Sequence, residues 1–150
     1  MRYFLIDRIT EWTPGERIKG VKNVAMSEDF LEFHFPGNPI MPGVLLLEAL
    51  AQLAGWLEAA SSDFSDWVLL SRVRKCNFYG FVFPGDQVEI ECRFLSEVRP
   101  GVKSYGGVGT VGGKKKIKAE FEGELAPLSK FENAEAQSRL FRILTRELTF

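Results

Sequence analysis

The residues that most often carry chemistry are scarce in this 150-residue chain. It has one histidine and two cysteines. Cys76 and Cys92 lie in separate strand-like segments, with no CxxC spacing and no histidine nearby. That argues against a cysteine metal site and reads as two reduced, half-buried thiols. Net charge is also scarce, since 19 Lys and Arg stand against 20 Asp and Glu for a formal charge of -1. A general nucleic-acid binder needs a basic excess, so that class is set aside. The 14 glycines form no Walker or dinucleotide pattern, which excludes the familiar phosphate loops. The longest apolar run, near residues 40–57, is interrupted by Pro42, Gly43, Glu48 and Gln52 and makes a poor membrane span. The opening residues, MRYFLIDRIT, carry charge throughout and do not read as a signal peptide. A soluble cytoplasmic protein is the expectation.

What is present is a core. The length favours one domain that needs no metal or disulfide to fold. Phenylalanine reaches 13 residues, which suits a core or a pocket for an apolar ligand. Two β-rich segments flank Thr13-Pro14-Gly15-Glu16 and read as a hairpin. The next stretch is irregular, because each proline disfavours helix for the residue before it. From Pro42 to Ala60 the pattern turns helical, and Pro42 suits a helix start. Leucine and alanine cover nearly the whole circumference of that helix, which predicts burial. Segments 67–79, 86–98, 103–112 and 114–125 then read as strands. The second alternates from Gln87 to Leu95, as a sheet with one solvated face requires. Gly112-Gly113 reads as a tight hairpin turn. Phe131, Leu140, Phe141, Leu144 and Leu148 could form one stripe of a terminal packing helix. The order predicts an α+β fold, one long central helix wrapped by an antiparallel sheet. Residues 1–125 form the main domain and 126–150 a helical tail.

The stretch His34–Gln52, HFPGNPIMPGVLLLEALAQ, concentrates the chemistry. A carboxylate inside an apolar helix is costly unless paired or protonated, and desolvation raises its pKa. Glu48 is therefore a candidate proton donor, and Gln52, one turn on, can hydrogen-bond it. His34 is the candidate base, held by a loop stiffened by Pro36, Pro39 and Pro42. Gly43, between Pro42 and Val44, lies in the first turn of the helix, where backbone N–H groups lack intrahelical partners. Those groups could bind a developing enolate oxygen. Base, acid and oxyanion site together suit β-elimination of water next to a carbonyl. A structural histidine and a satisfied core acid remain the plain alternative.

The same stretch resembles the signature of the 3-hydroxyacyl-[acyl-carrier-protein] dehydratases of the FabZ/FabA type: H-F-P-G, then P-x-M-P-G-V, then E-A-x-A-Q. FLIDRI, PGERI and VKNV are similar to the family's first hairpin, and VFPGDQVEIE to its P-G-D turn and following strand. The likeness covers roughly residues 3–125. It implies a hotdog fold, working as a homodimer or a trimer of dimers. It also implies a site at the dimer interface, with His34 from one subunit and Glu48 from the other, and the Gly43 N–H facing the thioester oxygen. The implied substrate is a 3-hydroxyacyl thioester on the phosphopantetheine arm of acyl carrier protein, with no metal or redox cofactor. Glu rather than Asp at 48 resembles the FabZ branch. Three features depart from the pattern. The family's L-P-H-R-Y-P segment does not precede Met1-Arg2-Tyr3, Phe33 stands where glycine is common, and RKCNFYGFVFPGD replaces a more basic, proline-bearing run.

Other candidates carry two readings each. Arg72, Arg74 and Lys75 are either a steering patch for an acidic carrier or one solvated strand face. Lys114, Lys115, Lys116 and Lys118 read as protection of an edge strand. Phe33, Phe35, Met41, Phe78, Phe81 and Phe83 either line an acyl tunnel or are ordinary core. Trp56 and Trp67 read as packing residues. Beside the dehydratase stand two alternatives, a hotdog acyl thioesterase and a non-catalytic acyl-binding partner of a dehydratase.

Overall fold

The computed structural model describes residues 4–146 and Leu148, so Met1-Arg2-Tyr3 lie outside the described residues. The hairpin forms as expected, with β1 (Arg8–Thr13) and β2 (Arg17–Asn23) joined across Pro14-Gly15. A loop with one 3₁₀ turn at Asp29–Leu31 leads into α1 (Gly43–Ser61). Pro42 is the N-cap residue of α1. Four long strands follow: β3 (Asp66–Phe78), β4 (Gln87–Arg99), β5 (Val102–Val111) and β6 (Lys114–Pro127). A 3₁₀ turn at Leu128–Lys130 and α2 (Ala134–Leu144) come last.

The strands form one antiparallel sheet in the order β1-β2-β4-β5-β6-β3. The β4 alternation is realised in burial, since Val88, Ile90 and Cys92 face inward with at most 2% exposure. Gly112 and Gly113 both take positive φ, +55° and +79°, which lets a two-residue turn match the strand twist. The sheet wraps α1. Leu46, Leu50, Leu53 and Leu57 are no more than 2% exposed. Each such leucine stabilises the fold by about 1.5–3 kcal/mol relative to exposure. By length and composition alone α1 could cross a membrane. Its apolar circumference is accounted for by this burial within the sheet.

Two expectations need correction. The lysines at 114, 115, 116 and 118 do not guard an edge, because β6 pairs with β5 on one side and β3 on the other. The edges are β1 and β3. A Lys-rich run after a hairpin turn does not reveal which strand takes the next place in the sheet. The terminal helix is also shorter than its stripe. The Asn133 side chain accepts a hydrogen bond from the Ala136 N–H at 2.9 Å and starts α2 there, so Phe131 lies before it and Leu148 after it. Phe141 is the anchor of α2, meeting Trp12, Trp56 and Phe64 at centroid distances of 5.5, 6.0 and 5.7 Å.

Candidate active site

The prolines and two short hydrogen-bonded closures shape the loop that carries His34. Phe35 and Asn38 exchange N–H···O bonds, both 2.9 Å, and the Ile40 N–H donates to the His34 carbonyl at 2.9 Å. The His34–Phe35 peptide is cis, and the two rings stack at 4.2 Å. The Met41 N–H ties the end of the loop to the Val82 carbonyl at 2.8 Å. The imidazole Nδ1 lies 2.9 Å from the Ile40 carbonyl oxygen. A carbonyl can only accept, so Nδ1 carries the proton and the neutral ring keeps its lone pair on Nε2. Of the residues expected to line a tunnel, Met41 is buried at 3% exposure, while Phe33 and Phe35 stand out from the chain at 77% and 51%.

On α1, Gln52 stands one turn beyond Glu48, and its Nε2 donates to Glu48 Oε1 at 3.1 Å. Gln52 Oε1 in turn accepts the Leu5 backbone N–H at 3.1 Å. The amide is thereby oriented, and it orients the half-buried carboxyl. Both side chains line a cleft of about 330 Å³, with Trp56, Trp67 and Leu69 among its walls. His34 is not among the residues around that cleft.

Gly43 opens α1 with an aromatic ring beside it. The Phe78 ring packs over it, and a methyl added there would lie 2.9 Å from Phe78 Cε1. The space left by the missing side chain is used by an aromatic ring of the same chain. Neither the Gly43 nor the Val44 N–H has an acceptor among the described residues, and the Val44 side chain is 69% exposed. The basic residues of β3 are partly committed. Arg74 Nη1 and Arg72 Nε lie 3.3 and 3.8 Å from the Glu122 carboxylate on β6, which is itself only 3% exposed. Lys75 has no ion-pair partner among the described residues.

One polar cluster went unread in the sequence. Glu58, buried on α1 at 6% exposure, accepts from Tyr105 Oη at 2.6 Å and from Lys103 Nζ at 3.0 and 3.2 Å. Burial and the Glu58 carboxylate push the Tyr105 phenol well above its ordinary range. The nearby Cys92 thiol is pushed up by burial, then by the charges of Glu58 and Glu91, and stays protonated and inert. Both cysteines are free. Among the described residues no group of three His, Cys, Asp or Glu could hold a metal ion.

Residues 1–120 match the FabA-like domain family. The chain belongs to that family. Relatives of this FabA-like chain include the 3-hydroxyacyl-[acyl-carrier-protein] dehydratase FabZ of Nitratidesulfovibrio vulgaris (strain Miyazaki F), 49% identical over 96 residues. Those residues are 62% of this chain and 62% of that protein, so the match spans under two thirds of that relative's length. The protein of the same name from Geotalea uraniireducens is 39% identical over 131 residues, 85% of this chain and 90% of that protein. Among solved structures, smu.793 from Streptococcus mutans bound to acetyl CoA superposes with a TM-score of 0.65 at 16% identity, covering 85% of this chain and 94% of that one. The fluoroacetyl-CoA thioesterase FlK superposes with a TM-score of 0.65 at 14% identity, covering 87% and 98%. At such identities the structures speak to the fold alone. This FabA-like chain has the hotdog fold, with α2 lying beyond the residues of the family match.

Proposed function

We propose that the chain is a 3-hydroxyacyl-[acyl-carrier-protein] dehydratase, a hydro-lyase acting in fatty acid or related lipid or polyketide synthesis. The observation that carries this reading is the hydrogen bond from His34 Nδ1 to the Ile40 carbonyl, because it reserves Nε2 as a base. His34 Nε2 takes the proton from C2 of the 3-hydroxyacyl thioester. The Glu48 carboxyl, oriented by Gln52, gives its proton to the C3 hydroxyl, and the C3–O bond breaks with loss of water. The C2–C3 double bond forms from the released electron pair, leaving the trans-2-enoyl thioester. Exchange of a proton between imidazolium and carboxylate, through water, resets the pair. The backbone N–H groups of Gly43 and Val44, in the first turn of α1 just after Pro42, stabilise the enolate-like oxygen. The reaction needs no metal or redox group, and the acyl chain arrives on phosphopantetheine.

The reading draws His34 and Glu48 of one site from two protomers of a homodimer. Its support is the β3 edge, a 13-residue strand with no partner on one side among the described residues, which exposes Leu69, Leu70 and Val73 at 42%, 38% and 42%. Such an edge is a template for a second strand. Three dimers assembling into a hexamer belong to the same reading. Lys75, with Arg72 and Arg74 beside it, supplies positive charge for an acidic carrier protein. Residues 1–125 serve as the hotdog unit and 126–150 as an appended tail, in a protein of the cytoplasm.

The test is hydration of crotonyl thioester, as the carrier-protein and coenzyme A forms, by wild type, His34→Ala and Glu48→Gln. Each substitution is expected to lower turnover by about 10²–10⁴-fold with fold and assembly kept. Turnover that survives either one removes the site assignment. Thioester hydrolysis without water addition removes the dehydratase itself.

A further inference from the structure

Part of the wall of the cleft that holds Glu48 comes from residues beyond the family match. Leu128, Phe131 and Leu140, with the polar Glu132 and Gln137, line it together with Trp56, Trp67 and Leu69. Resting on the dehydratase reading, we propose that this C-terminal segment receives the distal end of the acyl chain and sets the longest chain the enzyme accepts. If Glu48 serves the C3 hydroxyl, the carbons beyond C3 must lead away from it. The apolar lining open to those carbons includes Trp56, Trp67, Phe131 and Leu140.

The wall is fixed in place. Leu128 is 2% exposed, and its N–H donates to the Ser65 carbonyl at 2.9 Å. Phe141 and Leu144 anchor α2 in the core at 6% and 7% exposure, and Asn133 caps its start. Trp67 is equally held, edge-on to Trp56 at 5.4 Å. A wall built from anchored side chains limits length by volume, so resizing one side chain resizes the limit. Leu140, half-buried and facing the cleft from α2, is the residue to resize.

The experiment measures binding of 3-hydroxyacyl-pantetheine amides, from 3-hydroxybutanoyl to 3-hydroxyhexadecanoyl, to the full chain. Wild type, Leu140→Ala, Leu140→Trp and the more exposed Phe131→Ala are compared, each checked for folding by its thermal transition. In wild type the affinity is expected to rise about fourfold per methylene and then stop at a defined length. Leu140→Ala and Phe131→Ala move that stop to longer chains, by about two carbons for the leucine, and Leu140→Trp moves it to shorter ones. A stop at the same length in every folded variant overturns the proposal, as does absence of binding at every length. Crotonyl hydration on the same preparations reads the dehydratase separately. A stop that moves without hydration keeps the wall and removes the dehydratase, and hydration with an unmoved stop does the reverse.

Discussion

Two acids on one buried helix have different fates, and the difference lies in what each touches. Glu48 meets Gln52 and the open cleft. Glu58 is closed in by Tyr105 and Lys103. The second arrangement has a pH signature. Burial and Glu58 hold the Tyr105 phenol above its ordinary value of 10.0, and Cys92 is held above 9.0. As pH climbs past those values the unfolded chain releases both protons while the folded chain keeps them. The folded state then binds more protons, so stability falls with rising pH above about pH 9 and is unaffected by these groups below it. Tyr105→Phe removes one of the two contributions. It also leaves Glu58 short of a donor, at a cost of about 1–3 kcal/mol near neutral pH. Urea midpoints measured between about pH 7 and pH 11 should therefore start lower for the variant and fall less steeply. Equal slopes would mean that Tyr105 titrates normally. The Glu48–Gln52 pair was legible in the sequence because its geometry is local, one turn of one helix. The Glu58 cluster was not, since its partners lie 45 and 47 residues away and only the placing of β5 against α1 brings them in.

Elements meet where small residues permit it, and Gly55 is the sharpest case. A methyl at Gly55 would run into the six-membered ring of the Trp67 indole. Helix propensity by itself favours alanine over glycine by about 1 kcal/mol. Overpacking against a rigid ring costs about 1–3 kcal/mol, so packing decides the sign. Gly55→Ala is expected to lower stability by up to about 2 kcal/mol, and Gly55→Ala with Trp67→Leu to recover part of that loss. A more stable single variant would show that Trp67 has room to retreat. The elements were largely legible because their signals are periodic. The β4 alternation, the all-round apolar α1 and the Gly112-Gly113 turn each record a local rule. Order across the sheet has no such signal. The β6 lysines read as an edge because sequence neighbours do not announce that β3, far earlier in the chain, will close that side. The stripe of α2 ran too long for a similar reason. Phe131 and Leu148 have the right spacing, but the Asn133 cap fixes where the helix begins.

At the scale of the molecule, the proposed reading asks a single chain for only half of each site. Among the described residues His34 Nε2 has no partner, Glu48 sits in a cleft that His34 does not line, and β3 ends the sheet with Leu69, Leu70 and Val73 exposed. A two-fold dimer paired along β3 would make two equivalent sites, each taking one residue from each chain. That arrangement predicts complementation between two dead proteins. His34→Ala keeps its acid, and Glu48→Gln keeps its base. When the two are unfolded together in equal amounts and refolded, about half of the dimers are mixed. Each mixed dimer holds one site with both residues intact and one with neither. Activity should return to about a quarter of the wild-type level, from two parents that each have almost none. Sites built within single chains would return nothing under any mixing, because every chain in the mixture lacks one residue. Charge placed on the edge, as in Val73→Lys, should separate the protomers in sedimentation and abolish turnover with them. A monomeric Val73→Lys that still hydrates crotonyl thioester would place His34 and Glu48 in one chain after all.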